Sequence, residues 1–176
     1  MIPLVLTYVG DDRPGLVSAV SEKIAAFGGT WLESRSARLA GKFAGILRVN
    51  VPEANLPGLE RALRDLAPAG LSLTIERGAD EEPTPSARLI TLDILGNERP
   101  GIVRDVAQAL TALGVNIEEF ESRLESAAFT GVEMFRAHAR LRAPETLPLE
   151  DLRRTLERLA GEIMVDLTLA EADPRP

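Results

Sequence analysis

The strongest constraint on the fold is a motif that occurs twice in this 176-residue chain. Gly10-Asp-Asp-Arg-Pro-Gly-Leu-Val17 reappears as Gly96-Asn-Glu-Arg-Pro-Gly-Ile-Val103, at an offset of 96 − 10 = 86 residues. The same offset relates Val20/Val106, Ala26/Ala112, Gly28/Gly114, Glu33/Glu119, Ser36/Ser122, Phe43/Phe129 and Gly45/Gly131. A solenoid needs about three repeats, so two copies predict two domains or a fused pseudo-dimer.

Each copy begins with a predicted strand and a predicted helix. Alternating apolar residues indicate the strands. Pro14 and Pro100 suit the first helical position, because proline lacks an N–H that would be unpaired there. Apolar residues then recur at spacings of three and four, which predicts one apolar stripe per helix: Val17, Val20, Ile24 and Phe27, then Val103, Val106, Leu110 and Leu113. Gly28 and Gly114 are predicted to end these helices.

Two further strands, a second helix and a final strand complete each copy. The strand pairs are predicted at 31–39 with 43–51 and at 117–126 with 129–141, with turns at Gly41 and at Ser126-Ala-Ala. The second helices start at Leu56 and Leu149, an offset of 149 − 56 = 93, so seven extra residues are predicted around 140–148. The final strands are predicted at 71–76 and 163–169.

The predicted order βαββαβ is that of the ferredoxin-like split βαβ motif. This is an α+β fold in which both helices cover one face of an antiparallel sheet. We therefore predict domains at 1–77 and 88–170, joined by a polar linker with two prolines at 78–87 and followed by a tail at 171–176. One face of each sheet is left without helices, which predicts domain pairing or a homodimer.

Composition argues against several classes of function. The net charge of −7 is unfavourable for direct binding of nucleic acid. The chain lacks cysteine, and its single histidine, His138, is predicted on the exposed face of a strand. We therefore predict no metal site and no cofactor. No apolar run reaches the ~20 residues that span a bilayer, and no leader is visible at Met1. These observations predict a cytoplasmic protein without membrane contact.

The repeated loop between the first strand and the first helix is the strongest candidate for a binding site. A helix N-terminus offers free N–H groups and partial positive charge, which suit a carboxylate. Gly15 and Gly101 allow a ligand to approach the backbone. Asp12 and Glu98 lie just upstream and suit an ammonium group, so the loop is complementary to a zwitterion such as a free amino acid. The alternative is that acidic and amide side chains merely cap the helices: Asp11, Asp12, Asn97 and Glu98.

The motif Arg99-Pro-Gly-Ile-Val103, followed by Gly114-Val-Asn-Ile117, resembles the signature of ACT domains, which bind amino acids and regulate metabolic enzymes. The resemblance implies that Glu98 and Asn116 contact the effector, with Asp12 and Thr30 at the matching positions of the first copy. Because Thr30 replaces the asparagine, we favour the second copy as the ligand site and the first as its packing partner. The full predicted set is Asp11, Asp12, Arg13, Gly15, Leu16, Thr30, Asn97, Glu98, Arg99, Gly101, Ile102 and Asn116.

Two ACT domains in tandem resemble the glycine cleavage system transcriptional repressor family. The resemblance implies a regulator that is not an enzyme, senses an amino acid such as glycine or serine, and controls gene expression through a protein partner such as a transcription factor. One alternative is a regulatory subunit that docks on an amino-acid metabolic enzyme. Another is an acylphosphatase-like hydrolase that binds phosphate through Arg13 or Arg99. RNA-binding modules of the same element order need strand aromatics and a basic surface, which this sequence lacks.

Overall fold

The computed structural model describes residues 1–79, 87–126 and 131–171. The chain divides into two compact units, Met1–Glu82 and Pro83–Pro176. Most of the predicted linker, the predicted second turn with Phe129, and most of the predicted tail lie outside the described residues, at 80–86, 127–130 and 172–176.

The first unit is one antiparallel sheet in the strand order β2-β3-β1-β4, with two helices on one face. Its elements are β1 (Ile2–Asp11), α1 (Leu16–Ala26), β2 (Thr30–Leu39), β3 (Lys42–Val51), α2 (Leu56–Arg64) and β4 (Leu71–Arg77). The second unit repeats this topology in the order β6-β7-β5-β8. Its elements are β5 (Ala87–Asn97), α3 (Ile102–Ala112), β6 (Asn116–Ser126), β7 (Glu133–Pro144), α4 (Leu149–Ile163) and β8 (Val165–Glu171). The predicted α+β fold with two ferredoxin-like units is confirmed.

Each unit has its own core between the sheet and its helices. Alternate residues of β1 and β3 are buried, as period-two side-chain alternation requires: Leu4, Leu6 and Tyr8, then Leu47, Val49 and Val51. The helices close this core with Leu16, Val20, Ile24, Leu59 and Leu63. In the second unit β5 and β7 supply Ile90, Leu92, Ile94, Ala137, Ala139 and Leu141. Each fully buried aliphatic side chain stabilises its unit by about 1.5–3 kcal/mol.

The first helix of each unit begins two residues later than predicted. Gly15 and Gly101 are the N-caps, both in the left-handed region with φ of 92° and 99°, so Pro14 and Pro100 lie in the turn before the helix. Consequently Leu16 and Ile102 enter the core, while Val17 and Val103 are each 44% exposed. The predicted apolar stripe of each helix was therefore wrong at its first position. At the other end, Gly28 and Gly114 follow the helices with positive φ, and the predicted helix ends agree with this.

Most of the extra residues of the second unit fall in the sequence between β6 and β7, which corrects the predicted position at 140–148. In the first unit, Asn50 of β3 pairs with both Pro3 of β1 and Thr30 of β2. In the second unit, Arg142 of β7 pairs with the equivalent residues, Leu89 of β5 and Asn116 of β6. The offset is thus still 116 − 30 = 86 in β6 but 142 − 50 = 92 in β7. Six residues have entered between these strands, so the structural counterpart of Phe43 is Phe135 and not Phe129.

The last helix is longer than predicted. Ile163 belongs to α4 and is 6% exposed, and Met164 ends the helix with a φ of 53°. The final strand therefore starts at Val165 and not at residue 163. A left-handed residue that is not glycine is rarely foreseen from sequence, because only a few per cent of such residues adopt it.

Both sheets carry charged residues on the face opposite their helices. In the first unit Arg35 pairs across the strands with Ile46 on this face, and Ile46 and Val9 are 48% and 46% exposed. In the second unit charged residues line the same face, including Asp93, Arg136 and His138. The exposure of His138 agrees with its prediction. Within the described ranges, no helix combines the length and the apolar character needed to cross a membrane.

Candidate functional site: the two R-P-G loops

Both repeated loops present a helix N-terminus that lacks a side-chain cap. The first loop is defined as residues 11–15 and the second loop as residues 97–101. Gly15 and Gly101 cap α1 and α3, and among the described residues no side chain donates or accepts a capping bond there. The capping alternative for the acidic residues of these loops therefore does not hold. A left-handed φ near 90° at both positions requires glycine, since a Cβ is strained in that region.

In the first loop, both acidic residues are ion-paired with the β2–β3 hairpin. Arg38 Nε donates to Asp12 Oδ2 at 2.5 Å, and the Asp12 N–H donates to the Gly41 carbonyl at 2.9 Å. Lys42 Nζ donates to Asp11 Oδ1. This hydrogen bond, reinforced by the ammonium charge, holds the pKa of Asp11 below its usual range. An incoming ammonium group would compete with Lys42 and Arg38 for these carboxylates.

Arg13 makes its hydrogen bond to the other side of the first loop. Its Nη2 donates to the Ala69 carbonyl at 2.7 Å, just before Gly70 and strand β4. The guanidinium is exposed, and it ties the first loop to the far edge of the sheet. Arg13 thus braces the loop through one of its five N–H donors.

In the second loop, the arginine instead engages the helix that follows. Arg99 Nη2 donates to Asp105 Oδ2 at 3.0 Å, and Arg104 donates to Asp105 Oδ1 through Nε at 2.9 Å and Nη2 at 2.7 Å. The hydrogen bond from Arg104 lowers the pKa of Asp105, with both guanidinium charges adding to the effect. Arg99 Nε is buried and has no hydrogen-bond partner among the described residues. The Glu98 N–H donates to the Glu133 carbonyl at 3.1 Å.

The two strand-start residues of the predicted set lie far from the loop of their own unit. Asn116 is the first residue of β6 and pairs across the sheet with Arg142 of β7, which in turn pairs with Leu89 of β5. Leu89 lies eight residues before Asn97 on β5. At ~3.3 Å per residue this is about 26 Å. Thr30 is displaced equally, in a row with Asn50 and Pro3. Within one unit, the structure therefore brings together the loop residues and leaves Thr30 and Asn116 at the opposite end of the sheet.

Four functional neighbours of the loops are absent from the predicted set. They are Arg38, Lys42, Arg104 and Asp105. The hairpin register would have indicated Lys42, because Asp11 pairs with Lys42 across the strands. An acidic residue one turn after the glycine cap would have indicated Asp105, since helix N-termini favour a negative charge.

A second polar surface lies on the helix-free face of the second sheet. A shallow cavity of about 320 Å³ is lined by Asp93, Glu121, Ser122, Arg123, Arg136, Ala137 and His138. His138 Nδ1 and Asp93 Oδ1 are 2.8 Å apart. In the part of the chain that the structure describes, no three histidine, aspartate or glutamate side chains converge as metal ligands would.

Comparison with known proteins agrees with this architecture. A family model described as the ACT domain matches residues 3–76, which is nearly all of the first unit, and the second unit has the same topology. The chain carries two domains of the ACT fold. The two ACT units are similar over 98% of the chain to a protein of unknown function from Galdieria sulphuraria, with 29% identity, a TM-score of 0.82 and 99% of that chain covered.

Two further proteins resemble the tandem ACT chain along almost all of its length. One is a solved structure described as a glycine cleavage system transcriptional repressor, with a TM-score of 0.72, 18% identity and 98% of each chain covered. At that identity the likeness concerns the fold. The other is phosphoserine phosphatase SerB2 of Mycobacterium tuberculosis, 29% identical over 178 residues. That match covers 97% of the tandem ACT chain but only 41% of the phosphatase.

Proposed function

We propose that this tandem ACT protein is a regulator without catalytic activity of its own, which senses a free amino acid at its R-P-G loops. The observation that supports this most directly is the composition of the first loop. The uncapped N-terminus of α1 at Gly15 comes three residues after Asp12, whose carboxylate is held by Arg38. Positive and negative groups on one loop complement the carboxylate and the ammonium of a zwitterion.

The named relatives support an effector from glycine or serine metabolism. One relative is described as a glycine cleavage repressor, and the other is a phosphatase whose name specifies phosphoserine. We therefore propose glycine and serine as the first effectors to test. The phosphatase activity belongs to a protein of which this chain spans only 41%, so it is not transferred.

Regulation would act through a protein partner, with a homodimer as the proposed state. The net charge of −7 disfavours direct contact with a nucleic-acid backbone. A transcription factor is the proposed partner, because the whole chain aligns with the repressor structure. An amino-acid metabolic enzyme is the alternative partner. A pull-down with the full chain, with and without effector, separates the two by the class of protein recovered.

Effector binding is tested by thermal unfolding in the presence of each amino acid. A ligand that binds only the folded state raises stability by about 2.7 kcal/mol at 100 times its dissociation constant. Asp12→Ala should remove the shift, because it deletes a carboxylate that would face the ammonium. His138→Ala serves as the control, because His138 lies on the helix-free face of the sheet of the second unit. If no amino acid raises the melting temperature at millimolar concentration, the sensing function is wrong.

The hydrolase alternative would place a phosphate on Arg13 or Arg99. Arg13 donates to the Ala69 carbonyl and Arg99 donates to Asp105, so a phosphate would have to use their remaining N–H donors. An acyl-phosphate hydrolysis assay on the wild type, with Arg13→Ala and Arg99→Ala as controls, tests this alternative. Turnover by the wild type that is lost in either variant would replace the regulatory proposal.

A further inference from the structure

The first turn of α3 contains a carboxylate that has no counterpart in α1. Asp105 lies four residues after Gly101, and its side chain is only 18% exposed. Both of its oxygens accept hydrogen bonds, one from Arg99 and the other from Arg104. At the offset of 86 residues, Ser18 and Ala19 occupy the positions of Arg104 and Asp105. The two loops therefore share their motif but differ in the helical turn that follows.

The same ion pair covers the backbone of the second loop. A Cβ added at Gly101 would lie 3.2 Å from Arg104 Nη2 and 3.8 Å from Asp105 Oδ2. A Cβ added at Gly15 would meet no heavy atom of the described residues within 4 Å. The space on the side-chain side of Gly15 is therefore open, whereas the same space at Gly101 is occupied by side chains of α3.

The second strand of each unit, β2 or β6, also differs in the polarity of its helix side. On the helix side of β2 the residues are Ser34, Ser36 and Arg38, and Arg38 reaches Asp12. On the helix side of β6 the corresponding residues are Phe120, Ser122 and Leu124. The helix side of β2 is thus polar, whereas the helix side of β6 is mainly apolar.

A helix N-terminus and a nearby arginine together favour one negative charge. In the second unit the carboxylate of Asp105 supplies that negative charge. We propose that Asp105 is a built-in carboxylate that closes the second loop to an amino-acid effector, so that the effector binds at the first loop. This inference rests on the proposed sensing function. It reverses the preference for the second copy that Asn116 and Thr30 suggest.

Exchanging the two helical turns tests the proposal. Arg104→Ser with Asp105→Ala gives the first turn of α3 the residues of α1 at these positions, and Ser18→Arg with Ala19→Asp does the reverse. Calorimetric titration of the full chain with glycine and with L-serine measures binding stoichiometry and affinity, and circular dichroism verifies folding. We expect one equivalent per chain for the wild type, two for the first double variant, and at least a tenfold loss of affinity for the second.

A milder variant supports the test if a double variant does not fold. Asp105→Asn keeps the shape of the side chain but removes its charge, and it should also add a second equivalent. Asp93→Asn is the matched control, because it alters the contact with His138 on the helix-free face of the same unit. It should leave the stoichiometry at one.

Each other outcome overturns a defined part of the proposal. Two equivalents in the wild type, or a stoichiometry that no exchange alters, would refute the role of Asp105 and leave the sensing function standing. Binding that appears only after Asp105 is replaced would refute the assignment to the first loop. Absence of binding in the wild type and in every Asp105 variant would refute the sensing function, and this inference with it.

Discussion

Tyr8 and Ser36 share a hydrogen bond of 2.5 Å between Oη and Oγ, although strand β3 lies between their strands. The contact is possible because Gly45, the residue between them, has no side chain. A Cβ at Gly45 would lie 2.5 Å from Ser36 Oγ and 2.6 Å from Tyr8 Oη. In the second unit the corresponding row is Ile94, Ala137 and Ser122, and Ala137 packs in the core.

Gly45→Ala should destabilise the first unit, because the added methyl group overlaps both hydroxyl groups. Overpacking of this kind costs about 1–3 kcal/mol. Urea unfolding followed by the fluorescence of Trp31, the single tryptophan, measures the change. Tyr8→Phe is the companion variant and should cost about 1 kcal/mol, the net contribution of one hydrogen bond. Equal stability of Gly45→Ala and the wild type would contradict the crowding at this position.

Gly161→Ala should stabilise the second unit. Gly161 lies in α4 without a left-handed φ, and a Cβ there would meet no heavy atom of the described residues within 4 Å. Alanine in a helix interior is favoured over glycine by about 0.5–1 kcal/mol. Thermal unfolding by circular dichroism should show a higher melting temperature. A lower one would mean that an unseen neighbour occupies this space.

Two leucines of the β2–β3 hairpin should differ in how much stability is lost when each is replaced by alanine. Leu47 is 1% exposed and lies in the core of the first unit, whereas Leu39 is 79% exposed. Leu47→Ala should therefore cost about 2–5 kcal/mol, because it removes buried methyl groups and leaves a cavity. Leu39→Ala should stay within about 0.5 kcal/mol of the wild type. Denaturant titration of both variants checks the pair, and similar losses would contradict the burial pattern.

The contribution of Asp105 to stability should depend on pH. Its pKa in the folded chain is lowered from the ordinary value of 3.8, chiefly by the hydrogen bond from Arg104. A lowered folded pKa means that stabilisation is complete above 3.8 and is lost as the pH falls through the folded value. Asp105→Asn should thus lower the urea midpoint at pH 7, and the difference from the wild type should shrink below pH 3.8.

A matched variant separates this effect from general surface charge. Asp166→Asn removes an exposed carboxylate of β8. Its midpoint should follow that of the wild type at every pH. A constant difference between Asp105→Asn and the wild type across the acid range would show that charge is not the cause.

The fold was predictable because a repeated pattern of apolar spacing specifies elements without specifying their ends. The helix starts were missed because Gly15 and Gly101 adopt a left-handed cap, which moves the core position from Val17 to Leu16. The hairpin insertion was missed because Phe129 and Phe135 both offer a match to Phe43 and only the strand register decides.

The site was predictable only in part. The loop residues do lie together, because they are contiguous in sequence. Asn116 and Thr30 were grouped with them by resemblance, yet each opens a strand at the other end of its sheet. The contact between Arg38 and Asp12 depends on a side-chain direction that no spacing reveals.

The six residues gained between β6 and β7 suggest how two copies of one module can diverge. A segment inserted in the chain between two paired strands changes neither the register of their pairing nor the alternation of faces. Length can therefore accumulate there while the inherited core stays intact. In a duplicated architecture of this kind, we expect differences in length to occur in the connections between strands, and we expect the pairing register of the strands to stay the same in both copies.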